Sequence, residues 1–95
     1  MVVVGTITFY FLIPSSRSLK EKRGIIRPFI HRLQREFNVS VAEIEKLNNH
    51  SETVIACAMI SNNKNCLQQQ LNHILEFENR HCKDLQILDY SIEIY

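Results

Sequence analysis

Between positions 17 and 35 the chain carries eight charged side chains. Seven are basic (Arg17, Lys20, Lys22, Arg23, Arg27, Arg32 and Arg35) and only Glu21 is acidic. This local charge of +6 sits in a chain whose net charge is +1, because the remaining residues hold four Lys or Arg and nine Asp or Glu. The chemistry open to such a cluster is recognition of anions, since a concentrated field can steer a polyanion even when net charge cannot. Other reactive side chains are dispersed. His31, His50, His73 and His81 are scattered, and no pair of them has a carboxylate neighbour at triad or zinc spacing. Cys57, Cys66 and Cys82 are odd in number and lack a Cys-x-x-Cys pair, which argues against a disulfide framework and for a reducing cytoplasm. Cys57 lies in an apolar run and reads as a small buried hydrophobe, while His81 and Cys82 fall two ligands short of a metal site and read as loop. The expectation is no catalytic residue, no metal and no cofactor.

These side chains must be positioned by few elements. Ninety-five residues with 45% hydrophobic and 22% charged content make one domain, residues 1–95, with ordinary globular composition. Residues 2–13 are rich in β-branched and aromatic side chains, with Val3, Ile7, Phe9, Phe11 and Ile13 on one parity, and predict a strand. This run is too short to span a bilayer and lacks the layout of a signal peptide. Ser18 with Glu21 forms a capping box, the hydroxyl accepting from the Glu21 amide and the carboxylate reaching back to the Ser18 amide. That role leaves Ser18 no part as a nucleophile. The helix that follows places Leu19, Ile26, Ile30, Leu33 and Phe37 on one stripe and Lys20, Arg27, His31 and Arg35 on a flanking face, with Arg23 at its border. Pro28 lies inside this helix, four residues after Gly24, and predicts a kink rather than a break; the alternative is a second helix opening at Pro28.

Residues 38–45 read as a second strand with a bulge near Val41-Ala42, and residues 46–51 as a polar connection. Residues 53–60 are apolar enough for a strand buried on both sides. A second helix carries Leu67, Leu71, Ile74, Leu75 and Phe77 and ends near Asn79-Arg80, and residues 85–94 form the last strand. The order β-α-β-β-α-β predicts an α+β, ferredoxin-like fold: a four-stranded antiparallel sheet ordered 4-1-3-2 with two helices on one face.

Three stretches, residues 16–23, 37–43 and 88–94, together with this element order, resemble the YlxP-like family of bacterial domains of unknown function. The resemblance spans essentially the whole chain. It implies a ferredoxin-like fold and a cytoplasmic protein, and, through genes commonly encoded nearby, a link to ribosomal RNA or ribosome assembly. The chain departs from the family pattern at His50-Ser51, where a Trp-Gln pair is usual, and at Gly24 and Pro28 within the basic helix.

The resulting functional expectation is a non-catalytic domain that binds RNA or a ribosomal particle, with Arg17, Lys20, Lys22, Arg23, Arg27 and Arg35 facing phosphates. Base stacking on the sheet is not expected, because residues 53–60 contain no aromatic. The alternative is a dimeric interaction module with an acidic protein partner, its homodimer closing over an open apolar sheet face that includes Val2, Val4, Tyr10 and Leu12. A phosphate-ester or acyl-phosphate hydrolase, with Arg17 and Asn38 holding phosphate and water, is a weaker alternative because the turn at residues 14–17 has no glycine. No membrane partner is expected.

Overall fold

The computed structural model describes residues 1–81 and 83–95, with His81 described through its backbone. Of the expected loop at His81 and Cys82, His81 is instead the last residue of a helix, and Cys82 lies outside the described residues. The elements run β1 (Val3–Leu12), α1 (Leu19–Glu36), β2 (Ser40–Glu45), β3 (Glu52–Ser61), α2 (Lys64–His81) and β4 (Gln86–Ile94). The strands form one antiparallel sheet in the order β2-β3-β1-β4, which is the expected 4-1-3-2 read from the other edge. No described helix is long and apolar enough to cross a membrane.

Parity decides the core. Ile7, Phe9 and Phe11 of β1 point to the same side as Ile55, Cys57 and Met59 of β3, and both helices pack there through Ile26, Phe29, Leu33, Leu67, Leu71 and Ile74. Phe9, Phe11 and Phe29 interlock, with Phe29 edge-on to Phe11 at a centroid distance of 5.6 Å. Gly5 is where α2 comes closest to the sheet. A β-carbon there would lie 2.9 Å from Leu67 Cδ2 and 3.0 Å from Leu71 Cδ1, so its missing side chain lets two core leucines seat directly on β1.

Among the described residues no helix covers the opposite sheet face. There β3 is not buried on both sides as its composition suggests: Val54 is covered, Ala56 and Ala58 are half-buried, and Ile60 is 73% exposed. Apolar composition alone cannot say whether a second layer exists. The bulge also falls elsewhere than expected. Register shifts between Glu43 and Glu45 of β2, not at Val41-Ala42, and a second irregularity lies against β4 at Tyr10/Phe11. Along β4, Leu88 and Tyr90 are exposed despite their apolar character.

Helix α1 runs unbroken through Pro28, so the two-helix alternative is not adopted. Pro28 has no amide proton to give the Gly24 carbonyl, but Gly24 is exposed and water can take that acceptor. At its start, Ser18 Oγ accepts from the Glu21 amide at 3.1 Å as expected. The return bond differs by one residue: Glu21 Oε1 accepts from the Arg17 amide at 3.3 Å rather than from Ser18. Caps of this kind contribute about 1 kcal/mol.

Candidate anion-binding surface

Six basic residues were expected to face a polyanion, and the structure sorts them into five and one. Arg17, Lys20, Arg23, Arg27 and Arg35 are exposed. Lys20, Arg23 and Arg27 line, with Gly24 and Pro28, a shallow depression of about 450 Å³ on the outward side of α1, and no carboxylate lines it. Among the described residues the ion pairs are Lys22–Glu43 and Arg80–Glu76, so none of these five cations is taken up by one. Their charge is open to solvent. Arg35 stands apart from the depression, near the C-terminal end of α1, where it shares a cleft with Arg32 and α2.

Lys22 corrects the expectation. Its residue is 1% exposed, and its ammonium makes three short contacts: Glu43 Oε2 at 2.7 Å, the Lys46 carbonyl at 2.7 Å and the Asn49 carbonyl at 2.6 Å. All three ammonium protons therefore have acceptors. Glu43 Oε2 also accepts from the Thr53 hydroxyl at 2.6 Å. The physical reason is positional. Lys22, Ile26, Phe29 and Leu33 fall at the i, i+4, i+7 and i+11 spacing of one stripe, and these are the buried residues of α1. Lys22 occupies the first core-facing position, and the charge is tolerated because the β2–β3 turn brings acceptors to it. It cannot reach a phosphate.

That turn is built for the task. Lys46 adopts a left-handed backbone (φ 65°), a conformation a lysine enters at a cost, and its carbonyl also accepts from the Asn49 amide at 3.0 Å. Asn49 Oδ1 accepts from the Ser51 amide, the Ser51 hydroxyl and the Glu52 amide at 2.9–3.1 Å. His50 Nδ1 lies 3.2 Å from the Ser16 carbonyl, which can only accept, so Nδ1 carries the proton. The Ile13 amide donates to the Ser51 carbonyl at 2.7 Å. The turn is thereby tied to both the end of β1 and the first turn of α1. From composition alone residues 46–51 are a polar connection, and the signal for their role is Lys22 on the apolar stripe.

A second charged residue sits where only apolar ones were expected. Glu78 continues the Leu67, Leu71, Ile74 stripe of α2 and is 2% exposed, whereas Phe77 is only half-buried and packs edge-on against Phe37 at 5.8 Å. Burial pushes the Glu78 carboxyl up to about 7. Cys57 is buried as expected, and desolvation raises its thiol to about 12, which leaves it unreactive. Among the described residues no group of three or more His, Cys, Asp or Glu could hold a metal ion.

Comparison with known proteins bears on the family. Residues 4–92 match the model of a protein family of unknown function, DUF503. The chain belongs to that family. It is 32% identical over 66 residues to the uncharacterized protein YlxP of Bacillus subtilis (strain 168), a stretch covering 70% of this chain and 72% of that one. This agrees with the YlxP-like resemblance carried by residues 16–23, 37–43 and 88–94. Among solved structures, the de novo designed protein Foldit4 superposes with a TM-score of 0.59 at 17% identity, covering all of this chain and 97% of that one. That likeness concerns the fold alone. Membership of DUF503 supplies no activity, so the functional reading rests on the surface just described.

Proposed function

We propose that this DUF503 domain binds RNA or a ribosomal particle through the exposed basic face of α1, without catalysis of its own. The observation that carries this reading is the depression lined by Lys20, Arg23 and Arg27 without a carboxylate. Arg17 extends the surface at the start of the helix and Arg35 toward its end. The opposite side of α1 is anchored in the core by Ile26, Phe29 and Leu33, so the cations stand on a rigid rod and no folding cost is paid on contact. Phosphates bound there release condensed counterions, which makes affinity fall steeply with salt.

The test is Arg23→Glu with Arg27→Glu, measured by co-sedimentation with ribosomal particles and by titration against RNA at several salt concentrations. Each lost phosphate contact should reduce the slope of log affinity against log salt by about 0.7–0.9. Co-sedimentation and slope unchanged by these reversals would end the RNA reading. Retained capture of an acidic protein after nuclease treatment would favour a protein partner instead. Turnover of an acyl phosphate that disappears in Arg17→Ala would revive the hydrolase alternative.

A homodimer is favoured separately by the helix-free sheet face. Ala42, Ala56 and Ala58 floor a shallow apolar trough of about 250 Å³ beside Ile44, which is 50% exposed. The strand register puts Glu93 opposite Thr6, which lines the trough, and Asp89 opposite Tyr10, while Glu45 lies opposite Val54 on the β2–β3 side. Two copies meeting trough to trough about a two-fold axis would cover Ala42, Ala56, Ala58 and Ile44. Ala56→Lys is expected to convert a dimer to a monomer in sedimentation equilibrium. A wild-type chain that is already monomeric at high concentration would exclude this arrangement.

A further inference from the structure

We infer that RNA held on the outer face of α1 continues into the cleft between α1 and α2, where Arg32, Arg35, His73 and Arg80 receive a further phosphate of the same strand. The inference rests on the RNA reading above and extends it to a second helix. The cleft encloses about 640 Å³, with Arg32 and Arg35 contributed by α1 and His73 and Arg80 by α2. At 3.6 residues per turn, Arg35 is rotated about 80° from Arg27 and Arg32 about 140°. Arg35 is therefore the cleft-lining arginine turned nearer to the outward depression, and it links the two cationic surfaces. From Arg23 to Arg35 the helix advances about 18 Å, room for several successive phosphates.

Glu36 and Glu76 also line the cleft. Glu76 Oε2 lies 4.0 Å from Arg80 Nη2, with the side chains 61% and 73% exposed, a loose pair that solvent weakens. A phosphate presents more acceptor oxygens to a guanidinium and can take Glu76's place. The exposed arginines are not held in one geometry, so gripping a single free anion costs rotamer freedom that one contact does not recover. A phosphate delivered by a strand already bound on α1 arrives at high effective concentration and adds its own counterion release. The occupant favoured by this arrangement is thus a phosphate of a polymer, not a small free anion.

The experiment uses the full chain, a labelled mixed-sequence RNA oligonucleotide and, separately, inorganic phosphate. Arg80→Glu should weaken RNA binding about fivefold or more and reduce the salt slope by about 0.7. Glu76→Gln, which removes a competing carboxylate, should tighten it about two- to fivefold, a gain that misfolding cannot imitate. Inorganic phosphate at micromolar concentration should leave the NMR signals of Arg32 and Arg80 Nε unmoved. RNA affinity unchanged in both variants, with Arg27→Glu still defective, overturns the cleft while the α1 reading stands. Binding unaffected by Arg27→Glu as well removes the reading on which the cleft depends. Saturation of the cleft by micromolar inorganic phosphate overturns the polymer assignment in favour of a small-anion site.

Discussion

Lys22→Met is expected to lower the free energy of unfolding by about 3–5 kcal/mol, the usual cost of removing one partner from a buried ion pair. A 95-residue domain has a total of about 5–14 kcal/mol, so this single change approaches the threshold of unfolding. The cost comes from what is left behind. Among the described residues Glu43 keeps only the Thr53 hydroxyl as a donor, and the Lys46 and Asn49 carbonyls lose the ammonium that joins them to α1. In a thermal melt the midpoint should fall by more than about 10 °C. Adding Glu43→Leu removes the stranded carboxylate, so the double variant should be less destabilised than the sum of the single ones. A loss below about 1 kcal/mol for Lys22→Met would instead mean that water reaches this ammonium as it reaches a surface lysine. Below the melting temperature the same variant should keep the wild-type salt slope for RNA, because Lys22 faces the turn and not the solvent.

Glu78→Gln is expected to stabilise the domain at pH 8 by about 2–3 kcal/mol and to have almost no effect near pH 4. Glu78 is closed off from solvent near the last turn of α2, and among the described residues no ion pair reaches it. Its carboxyl is raised from the ordinary value of 4.5 to about 7 by burial. Below pH 4.5 both the folded and unfolded chains hold the proton, and no difference arises. Between 4.5 and 7 the unfolded chain releases it while the folded chain retains it, so this residue's contribution to stability falls as pH rises. Above 7 the folded chain carries a desolvated carboxylate, and the full cost is present. Other carboxylates titrate over the acid part of this range, so the informative quantity is the difference between wild type and Glu78→Gln across pH 4–8. A difference that does not change with pH would show that the carboxyl is hydrated in the folded protein. Because no ion pair among the described residues requires the charge, removal of Glu78's ionisation should stabilise, whereas removal of Lys22's destabilises.

The two residues make a matched pair. Both continue an apolar stripe at helical spacing, Lys22 ahead of Ile26, Phe29 and Leu33, and Glu78 behind Leu67, Leu71 and Ile74. Read only for apolar side chains, the stripe of α1 begins at Leu19 and that of α2 reaches Phe77, and both of those residues are half-buried in the fold. Periodicity would place the two charges inward, but charge ordinarily outweighs periodicity when a sequence is read, because an unpaired buried ion is so costly. The expectation places Lys22 with Arg17 near the helix start in the phosphate-facing set, and the fold turns it inward.

Much of the architecture was determined by the sequence alone. Alternating β-branched residues in β1, the Ser18 cap, the two helical stripes and the short polar connections leave little choice but the β-α-β-β-α-β order and its sheet, since each depends on neighbours within a few residues. The cationic crowding on α1 was equally legible, because helical spacing fixes which side chains share a face. What only the tertiary structure decided were the matters in which distant segments meet. The β2–β3 turn supplies two acceptors and β2 a third to Lys22 from more than twenty residues away, and α2 brings Arg80 and His73 beside Arg32. The absence of a layer over the Ala56 face likewise reflects where helices pack, not what β3 is made of. Local propensity is written residue by residue, but whether a charge is buried or free depends on which remote atoms fold down upon it.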